Sequence, residues 1–263
     1  MLKIVNKAWS KSQIYNLLES KVNEFNQTSF IELDPISVPH LFTKKEDIEI
    51  AGFFAASFAW GQRTTIINKS KELMNLMDMQ PHDFIINHSD KDLKTLLKFK
   101  HRTFNNDDLL FFIQSLKNIY NTGGLEKAFN TKKTTKEAID NFRTTFFKTE
   151  HLKRSEKHVS SPTQGSAAKR LNMFLRWMVR KDENGVDFGI WKNIKAAELM
   201  CPLDVHSGNV ARKLGLLNSQ ANNWKSVEEL TNNLKRFDKS DPVKYDFALF
   251  GLGVNDKEKL WKI

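Results

Sequence analysis

The sequence predicts an all-α fold. Helix-start patterns and apolar residues at helical spacing recur along the 263-residue chain, whereas no run alternates apolar and polar β-forming residues between turn dipeptides. The hydrophobic content of 40%, with 20 Phe and 6 Trp, suffices for one large core or two smaller lobes. We therefore expect a helical protein of one or two domains.

The chain contains a single cysteine, Cys201. One cysteine cannot form an internal disulfide, a four-cysteine zinc site or a four-cysteine iron–sulfur cluster. Residues 1–26 lack the apolar block of a signal peptide, and no stretch approaches the roughly 20 apolar residues of a membrane span. We expect a cytoplasmic protein with no metal, no cofactor and no membrane-spanning segment.

The charge balance is strongly basic. A net charge of +10 indicates a polyanionic partner, and on charge alone nucleic acid and an anionic membrane surface both stay open. Residues 140–181 concentrate this charge, with ten Lys or Arg against three Asp or Glu. A solvated basic face is the alternative interpretation.

Capping patterns and glycines divide the first half of the chain into predicted helices. Thr43–Glu46 form a capping-box pattern before the apolar run 48–60, and Gly61 separates that helix from the next, 64–77. A third helix is expected at 107–120, ended by glycines. The inward faces of the last two helices comprise Ile66, Ser70, Leu73, Met74 and Met77, and Leu109, Phe112, Ile113, Leu116 and Ile119.

Helix-start signals also divide the second half of the chain. Thr134–Glu137 form another capping-box pattern, and the polar, basic segment 150–165 predicts a mobile loop. Further helices are predicted at 166–181, 191–200 and 205–216, from Ser226, and from Asp241 with a proline in the first turn.

The predicted helix 166–181 has a basic face beside an apolar one. The apolar face comprises Leu171, Phe174, Leu175 and Met178, and the other face Lys169, Met173, Arg176 and Arg180. We expect Arg170, Arg176 and Arg180 to contact phosphates, which would make nucleic-acid affinity depend strongly on salt.

Asp204 stands at the predicted start of a helix, where an Asp ordinarily accepts backbone N–H bonds as an N-cap. The segment 203–216, with the sequence LDVHSGNVARKLGL, resembles the catalytic-aspartate motif of the helix-hairpin-helix DNA glycosylase superfamily. That motif is an apolar residue, Asp, a small or apolar residue and His, followed by a helix with Val and Arg that ends near Leu-Gly. The resemblance implies that Asp204 is the catalytic carboxylate.

A second match lies upstream at 58–65, with the sequence FAWGQRTT. It is similar to the family's Gln-containing turn between two helices, which fills the space left by an extruded nucleotide. The resemblance gives this role to Gln62, whose amide can both donate to and accept from the orphaned base. Alternatively, Gln62 satisfies backbone groups of its own loop.

Lys169 is the third matching element. The segment 169–174 is similar to a helix of the archaeal 8-oxoguanine branch, in which a lysine attacks the anomeric carbon of the sugar. The positive end of a helix and the neighbouring Arg170 favour the neutral, nucleophilic amine. An ordinary surface lysine would show the same sequence.

The chain departs from the family pattern in two places. The usual Leu-Pro-Gly-Val-Gly hairpin is replaced by Pro162–Ser166, although Gly165 and Ser166 are still expected to contact DNA through backbone N–H groups. The C-terminal four-cysteine cluster of many members is absent, as it is from the archaeal 8-oxoguanine branch.

The resemblance suggests further site residues. Arg63 and His206 are expected to contact DNA; His206 has no second His or carboxylate at i, i+4 for a metal site. The candidates for stacking on a flipped base are Trp60, Trp177, Phe188 and Trp191, although tryptophans at helical spacing are more often core residues. The segment 241–253 resembles the family's last helix, whose Phe247, Leu249 and Phe250 we expect mainly in the core.

Together these matches imply a two-lobed, helix-hairpin-helix glycosylase-like fold with a DNA-binding cleft. One lobe would comprise residues 45–180, and the other residues 1–44 plus 181–263. The implied partner is double-stranded DNA with a damaged base, 8-oxoguanine being favoured, and the expected state is a monomer.

The implied reaction is base excision by base flipping with Schiff-base AP lyase activity. A monofunctional glycosylase and an inactive DNA-binding protein are the alternatives. The chain also resembles an uncharacterised bacterial protein family.

Overall fold

A computed structural model describes residues 9–130 and 134–255, in which the chain forms thirteen α-helices. In chain order they are α1 (Lys11–Phe25), α2 (Ser29–Glu32), α3 (Lys45–Phe58), α4 (Arg63–Leu76), α5 (Pro81–Asn87), α6 (Asp90–Thr95), α7 (Asn106–Asn121), α8 (Gly124–Phe129), α9 (Thr135–Phe146), α10 (Lys169–Val179), α11 (Val205–Lys213), α12 (Trp224–Leu234) and α13 (Tyr245–Asn255). Short 3-10 helices cover Pro35–Ser37, Pro39–Leu41, Leu96–Lys98, Lys153–His158, Ala196–Glu198 and Pro242–Lys244. These described ranges contain no β-strand, so the all-α prediction is confirmed.

Helix α3 is the centre of the packing. Every residue from Asp47 to Phe58 is buried, as expected for a helix that is apolar on all sides. It packs against α4, α5 and α10. The ring of Phe53 meets Phe142 and Phe174 edge to face, with ring centroids 5.4 and 5.7 Å apart. This core connects the end of α3 with the start of α10.

Helix α13, at the C-terminal end of the described chain, packs against the N-terminal helix α1. It also packs against α11, and two glycines permit the close approach. A Cβ at Gly251 would lie 2.1 Å from Phe25, and one at Gly253 would lie 2.9 Å from the His206 backbone. The first turn of α11, which follows Asp204, is thereby held against α13.

Several helix starts differ from the predictions. The helix expected after Thr43 begins at Lys45 with Lys44 as N-cap, and no capping side chain is bound there. Helix α10 begins at Lys169 rather than Ser166, because Ala168 adopts a left-handed conformation with φ of 44°. Helix α12 begins at Trp224, since Asn223 accepts the N–H of Ser226 and caps it.

Neither segment 150–165 nor segment 191–200 contains an α-helix. The helix predicted at 191–200 is wrong, because that segment is irregular apart from the short turn Ala196–Glu198. Segment 150–165 connects two helices as a loop with the 3-10 helix Lys153–His158, and buried side chains anchor it. Ser155 Oγ donates to Asp108 Oδ1 over 2.6 Å.

A single hydrophobic cluster includes residues of both expected lobes, and the division between 45–180 and the rest stays a prediction. Across the residues that the structure describes, no helix has both the length and the apolar content needed to cross a bilayer.

Candidate active site

Lys169 and Asp204 lie side by side. The Lys169 Nζ atom is 3.7 Å from Asp204 Oδ2, and about a quarter of each side chain is exposed. Each residue stands at the start of a helix, α10 for the lysine and α11 for the aspartate. The structure thus brings together the two residues that the sequence predicted as catalytic.

The two carboxylate oxygens of Asp204 have different surroundings. Oδ1 accepts the backbone N–H groups of His206 and Ser207, at 2.9 and 3.0 Å, and so caps α11. Ser207 Oγ in turn accepts the Asp204 N–H at 3.0 Å, which completes a capping box. Oδ2 is the oxygen that faces Lys169. Capping and a chemical role are therefore compatible, because each uses a different oxygen.

Local structure also determines where Lys169 lies. Ala168 takes the left-handed conformation, and its N–H donates to Ser166 Oγ over 3.1 Å. Lys169 is then the first residue of α10, and no side chain caps this helix end. Lys169 therefore stands at the N-terminus of α10, the end at which the helix dipole carries its partial positive charge.

A cavity of about 580 Å³ adjoins the pair, a volume typical of small-ligand sites. Its apolar wall includes Phe30, Trp60, Met173, Phe247 and Phe250. Its charged and polar lining includes Asp34, Arg63, Lys169, Arg176, Asp204, His206 and Asp246. These residues come from both of the expected lobes, so the cavity depends on tertiary packing.

Two further carboxylates line the cavity, and both belong to buried residues. Burial raises the pKa of Asp246 to about 6, although its ion pair with Arg176 opposes the shift. Burial also raises the pKa of Asp34, whose Oδ1 accepts the Ile36 N–H at 3.1 Å. The cavity lining therefore combines buried carboxylates with aromatic rings.

The turn between α3 and α4 lies at the cavity. Gln62 is the N-cap residue of α4, but its side chain caps nothing and is exposed, with no hydrogen bond to the described residues. The expectation that Gln62 satisfies its own loop is therefore wrong, and its gap-filling role stays a prediction. Arg63 lines the cavity, and its guanidinium lies 4.9 Å from the ring of Phe250. Its contact with DNA is likewise a prediction.

The segment in the place of the hairpin forms a closed turn. Gly165 has φ of 85°, and its N–H donates to Pro162 O at 2.9 Å. The Ser166 N–H donates to Ser161 O at 3.1 Å. Both N–H groups expected to bind DNA thus have partners within the protein. Neither backbone N–H is free to donate to a phosphate, so the structure gives no support to the predicted contacts of Gly165 and Ser166.

Three arginines, two in α10 and Arg180 at its C-cap, were predicted as phosphate contacts, and the structure contradicts this. Arg170 donates to the carbonyl oxygens of Ser57 and Lys157, at 2.6 and 3.3 Å. Arg176 and Arg180 are only 3% and 2% exposed. Their guanidinium groups pair with the aspartates Asp182, Asp187, Asp241 and Asp246. These carboxylates compensate the buried charges of Arg176 and Arg180, so the two arginines stabilise the fold around the cavity.

Only one of the four predicted stacking residues lines the cavity. Trp60 does, and its Nε1 is buried without a hydrogen-bond partner among the described residues. Trp177 is fully buried, and Trp191 is buried with its Nε1 donating to Glu49 over 2.6 Å. Phe188 packs on the ring of His40, with centroids 4.3 Å apart. Those three residues belong to the core or pack against it, which was the alternative interpretation in the sequence analysis.

His206 is exposed and lines the cavity next to Asp204. Where the chain is described, no group of three or more His, Cys, Asp or Glu side chains is arranged to hold a metal ion. His206 is thus placed to meet a ligand, and its contact with DNA stays a prediction.

Sequence reasoning missed Phe30, Asp34 and Asp246 in the cavity. Asp34 precedes a proline and caps a 3-10 helix, which is an ordinary position for an aspartate. Asp246 lies in the first turn of α13, another ordinary position for an acid. Only the convergence of distant segments distinguishes these residues.

The model of one protein family, described as a protein of unknown function (DUF2400), matches residues 34–255. The match includes Lys169 and Asp204 and most of the cavity lining. No curated protein and no solved structure matches the chain.

Proposed function

This chain belongs to the DUF2400 family of proteins of unknown function, and we propose that it is a DNA glycosylase with AP lyase activity. The observation that supports this most is the 3.7 Å separation of Lys169 Nζ and Asp204 Oδ2 beside the cavity. An amine nucleophile beside a carboxylate is the pair that base excision through a Schiff base requires.

In this proposal the target nucleotide leaves the duplex and its base enters the cavity. Asp204 Oδ2 accepts a proton from the Lys169 ammonium, and the neutral amine attacks C1′ of the sugar. The C1′–N bond to the base breaks as the N–C1′ bond to Lys169 forms, and the departing base takes the proton from Asp204. The restored Asp204 carboxylate then stabilises the positive charge of the sugar–lysine adduct.

The adduct then opens. The sugar ring C1′–O4′ bond breaks as a proton passes from the Lys169 nitrogen to O4′, which leaves a protonated Schiff base between Lys169 and C1′. Water then takes a proton from C2′, and β-elimination expels the 3′ phosphate and cleaves the strand. Hydrolysis of the Schiff base with water releases Lys169.

The cavity lining favours a guanine-type base such as 8-oxoguanine. The indole of Trp60, a half-buried residue that lines the cavity, suits stacking on a planar base. The carboxylates of Asp34 and Asp246 accept hydrogen bonds, and the Watson–Crick edge of guanine offers N1–H and the exocyclic amine as donors. A basic chain with an exposed Gln62 between the cavity-lining residues Gly61 and Arg63 suits a duplex DNA partner bound by a monomer.

Borohydride trapping on duplexes that contain 8-oxoguanine tests this proposal. Reduction converts a Schiff base into a stable protein–DNA adduct, which denaturing electrophoresis detects. We expect an adduct with the wild-type protein and none with Lys169→Gln. Lys157→Gln is the matched control, because Lys157 is exposed and only its backbone oxygen meets the site region. It should trap as well as the wild type.

The other outcomes separate the alternatives. Base release without trapping would indicate a monofunctional glycosylase, in which Asp204 activates water and Lys169 binds phosphate. Salt-sensitive DNA binding with no base release across a panel of damaged duplexes would indicate an inactive DNA-binding protein. Either result would overturn the lyase reaction.

A further inference from the structure

We propose that Arg102, on a turn beside the cavity, is a preorganised contact for DNA. Its guanidinium would bind a planar pair of acceptor atoms, from a backbone phosphate or from the edge of a base. The inference rests on the proposed function for the identity of the partner, and its support comes from a different part of the molecule.

The backbone of Arg102 is held in an unfavourable conformation. Its φ is 55°, one of four positive values among the described residues other than glycine. The left-handed region is sterically costly for a side chain with a Cβ, and Gly or Asn would occupy it more readily. Such a conformation at an exposed arginine points to a role for the side chain itself.

The turn that presents Arg102 is fixed on both sides. His101 and Phe104 exchange two backbone hydrogen bonds, each 2.9 Å long, around Arg102 and Thr103. Arg154 Nη2 donates to the Thr103 carbonyl over 2.7 Å. Arg154 is itself paired with the fully buried carboxylate of Asp108. The position of Arg102 is therefore set before any ligand binds.

The Arg102 guanidinium stacks on the ring of Trp60, and its N–H groups bind no other described residue. Its Cζ lies 4.5 Å from the ring of Trp60, which lines the cavity. Gly61 leaves room for it, since a Cβ there would lie 2.6 Å from Arg102 Nη1. No hydrogen bond or ion pair to Arg102 occurs within 9–130 and 134–255. A stacked guanidinium keeps its in-plane N–H groups available for two acceptors at once.

The neighbouring residues support a ligand at this point. The exposed Gln62 follows Gly61, so an amide and a guanidinium flank the same short turn next to the cavity. An exposed cation–π contact stabilises a fold only weakly. A purely structural role would therefore not explain why an arginine occupies the left-handed position.

Fluorescence anisotropy with labelled duplexes tests the inference without catalysis. The probes are an undamaged duplex and the same duplex with a tetrahydrofuran abasic analogue. Arg102→Gly and Arg102→Asn should raise Kd about five- to 150-fold, the range for loss of a bidentate arginine contact. Their Tm should stay unchanged or rise, because both residues tolerate the left-handed backbone. The control Lys100→Ala removes one exposed charge two residues away and should change Kd less than twofold.

Two further measurements identify the acceptors. Loss of a phosphate contact should weaken binding for all four opposite bases and reduce the salt slope by about one. Loss of a base contact should change the opposite-base preference at an unaltered salt slope. Either result supports the inference.

Wild-type Kd in the Arg102 variants, or a fall in Tm that accompanies the loss of affinity, would overturn the inference and leave the proposed function standing. Failure of the wild-type protein to bind either duplex would overturn both.

Discussion

The Asp204 carboxylate caps α11 with Oδ1 and faces Lys169 Nζ with Oδ2, 3.7 Å away. One residue thus serves the fold and the site through separate atoms. Substitutions that separate the shape of the side chain from its charge can distinguish the two roles.

Asp204→Asn should abolish most activity with little change in stability. Asn caps a helix about as well as Asp, but a neutral amide cannot accept the proton or stabilise a developing cation. We expect kcat to fall at least a hundredfold, a loss comparable to removing one electrostatic stabiliser of a transition state. Single-turnover kinetics and thermal unfolding measure the two effects on the same sample.

Asp204→Ala is the companion variant, because it removes both the charge and the cap. Its free energy of unfolding should fall by about 1 kcal/mol, the usual value of an N-cap. Equal stability of the Asn and Ala variants would show that Oδ1 contributes nothing to α11.

Asp187→Asn should destabilise the protein by about 3 kcal/mol. The Asp187 carboxylate is fully buried and accepts from Arg176 Nε at 3.2 Å and Arg180 Nη1 at 3.0 Å, so its loss leaves buried charges undercompensated. Urea unfolding measures the change. The control Glu72→Gln breaks an exposed pair with Lys69 and should cost less than about 1 kcal/mol. Similar losses in both variants would contradict the structural role assigned to the arginines.

His158 should make stability fall as the pH drops from about 6.5 to about 4. Burial lowers the pKa of His158 to about 4, and the positive charges of Arg170 and Lys157 add to the shift while Asp108 opposes it. The folded state binds fewer protons than the unfolded state in this window, so acid favours unfolding. Asp246 acts in the opposite direction, since its pKa is raised to about 6.

The variant His158→Phe isolates this contribution. Its free energy of unfolding should change by about 3 kcal/mol less than that of the wild type between pH 7 and pH 4. Chemical unfolding at a series of pH values measures the difference. Parallel pH curves for the two proteins would show that the buried imidazole does not titrate as expected.

Gly61→Ala should lower stability and also weaken DNA binding. Gly61 has φ of 107°, and a Cβ there would lie 2.6 Å from Arg102 Nη1, so the guanidinium must move. We expect a loss of about 2 kcal/mol in unfolding free energy. The control Gly185→Ala, with φ of 70° and open space around it, should lose about 1 kcal/mol and keep its affinity for DNA. Anisotropy and urea unfolding provide the comparison.

Local features of the fold could be predicted from the sequence. The capping box at Thr134 and the N-cap at Asp204 involve neighbours within three residues, and the structure has both. The capping box predicted at Thr43 is wrong, because a capping pattern does not decide which of several adjacent residues leaves the helical conformation. The start of α10 was misplaced because the left-handed Ala168 has no sequence signal.

The sequence by itself determined the helical class and the identity of Lys169 and Asp204 as candidates, because periodicity, capping and motif resemblance are carried by short segments. Only the tertiary structure decided that these two side chains meet. It also decided that Arg176 and Arg180 are neutralised inside the fold, and that Trp60 faces the cavity while Trp191 does not. The physical reason is that charge compensation and burial depend on partners from distant segments, and no local pattern specifies them.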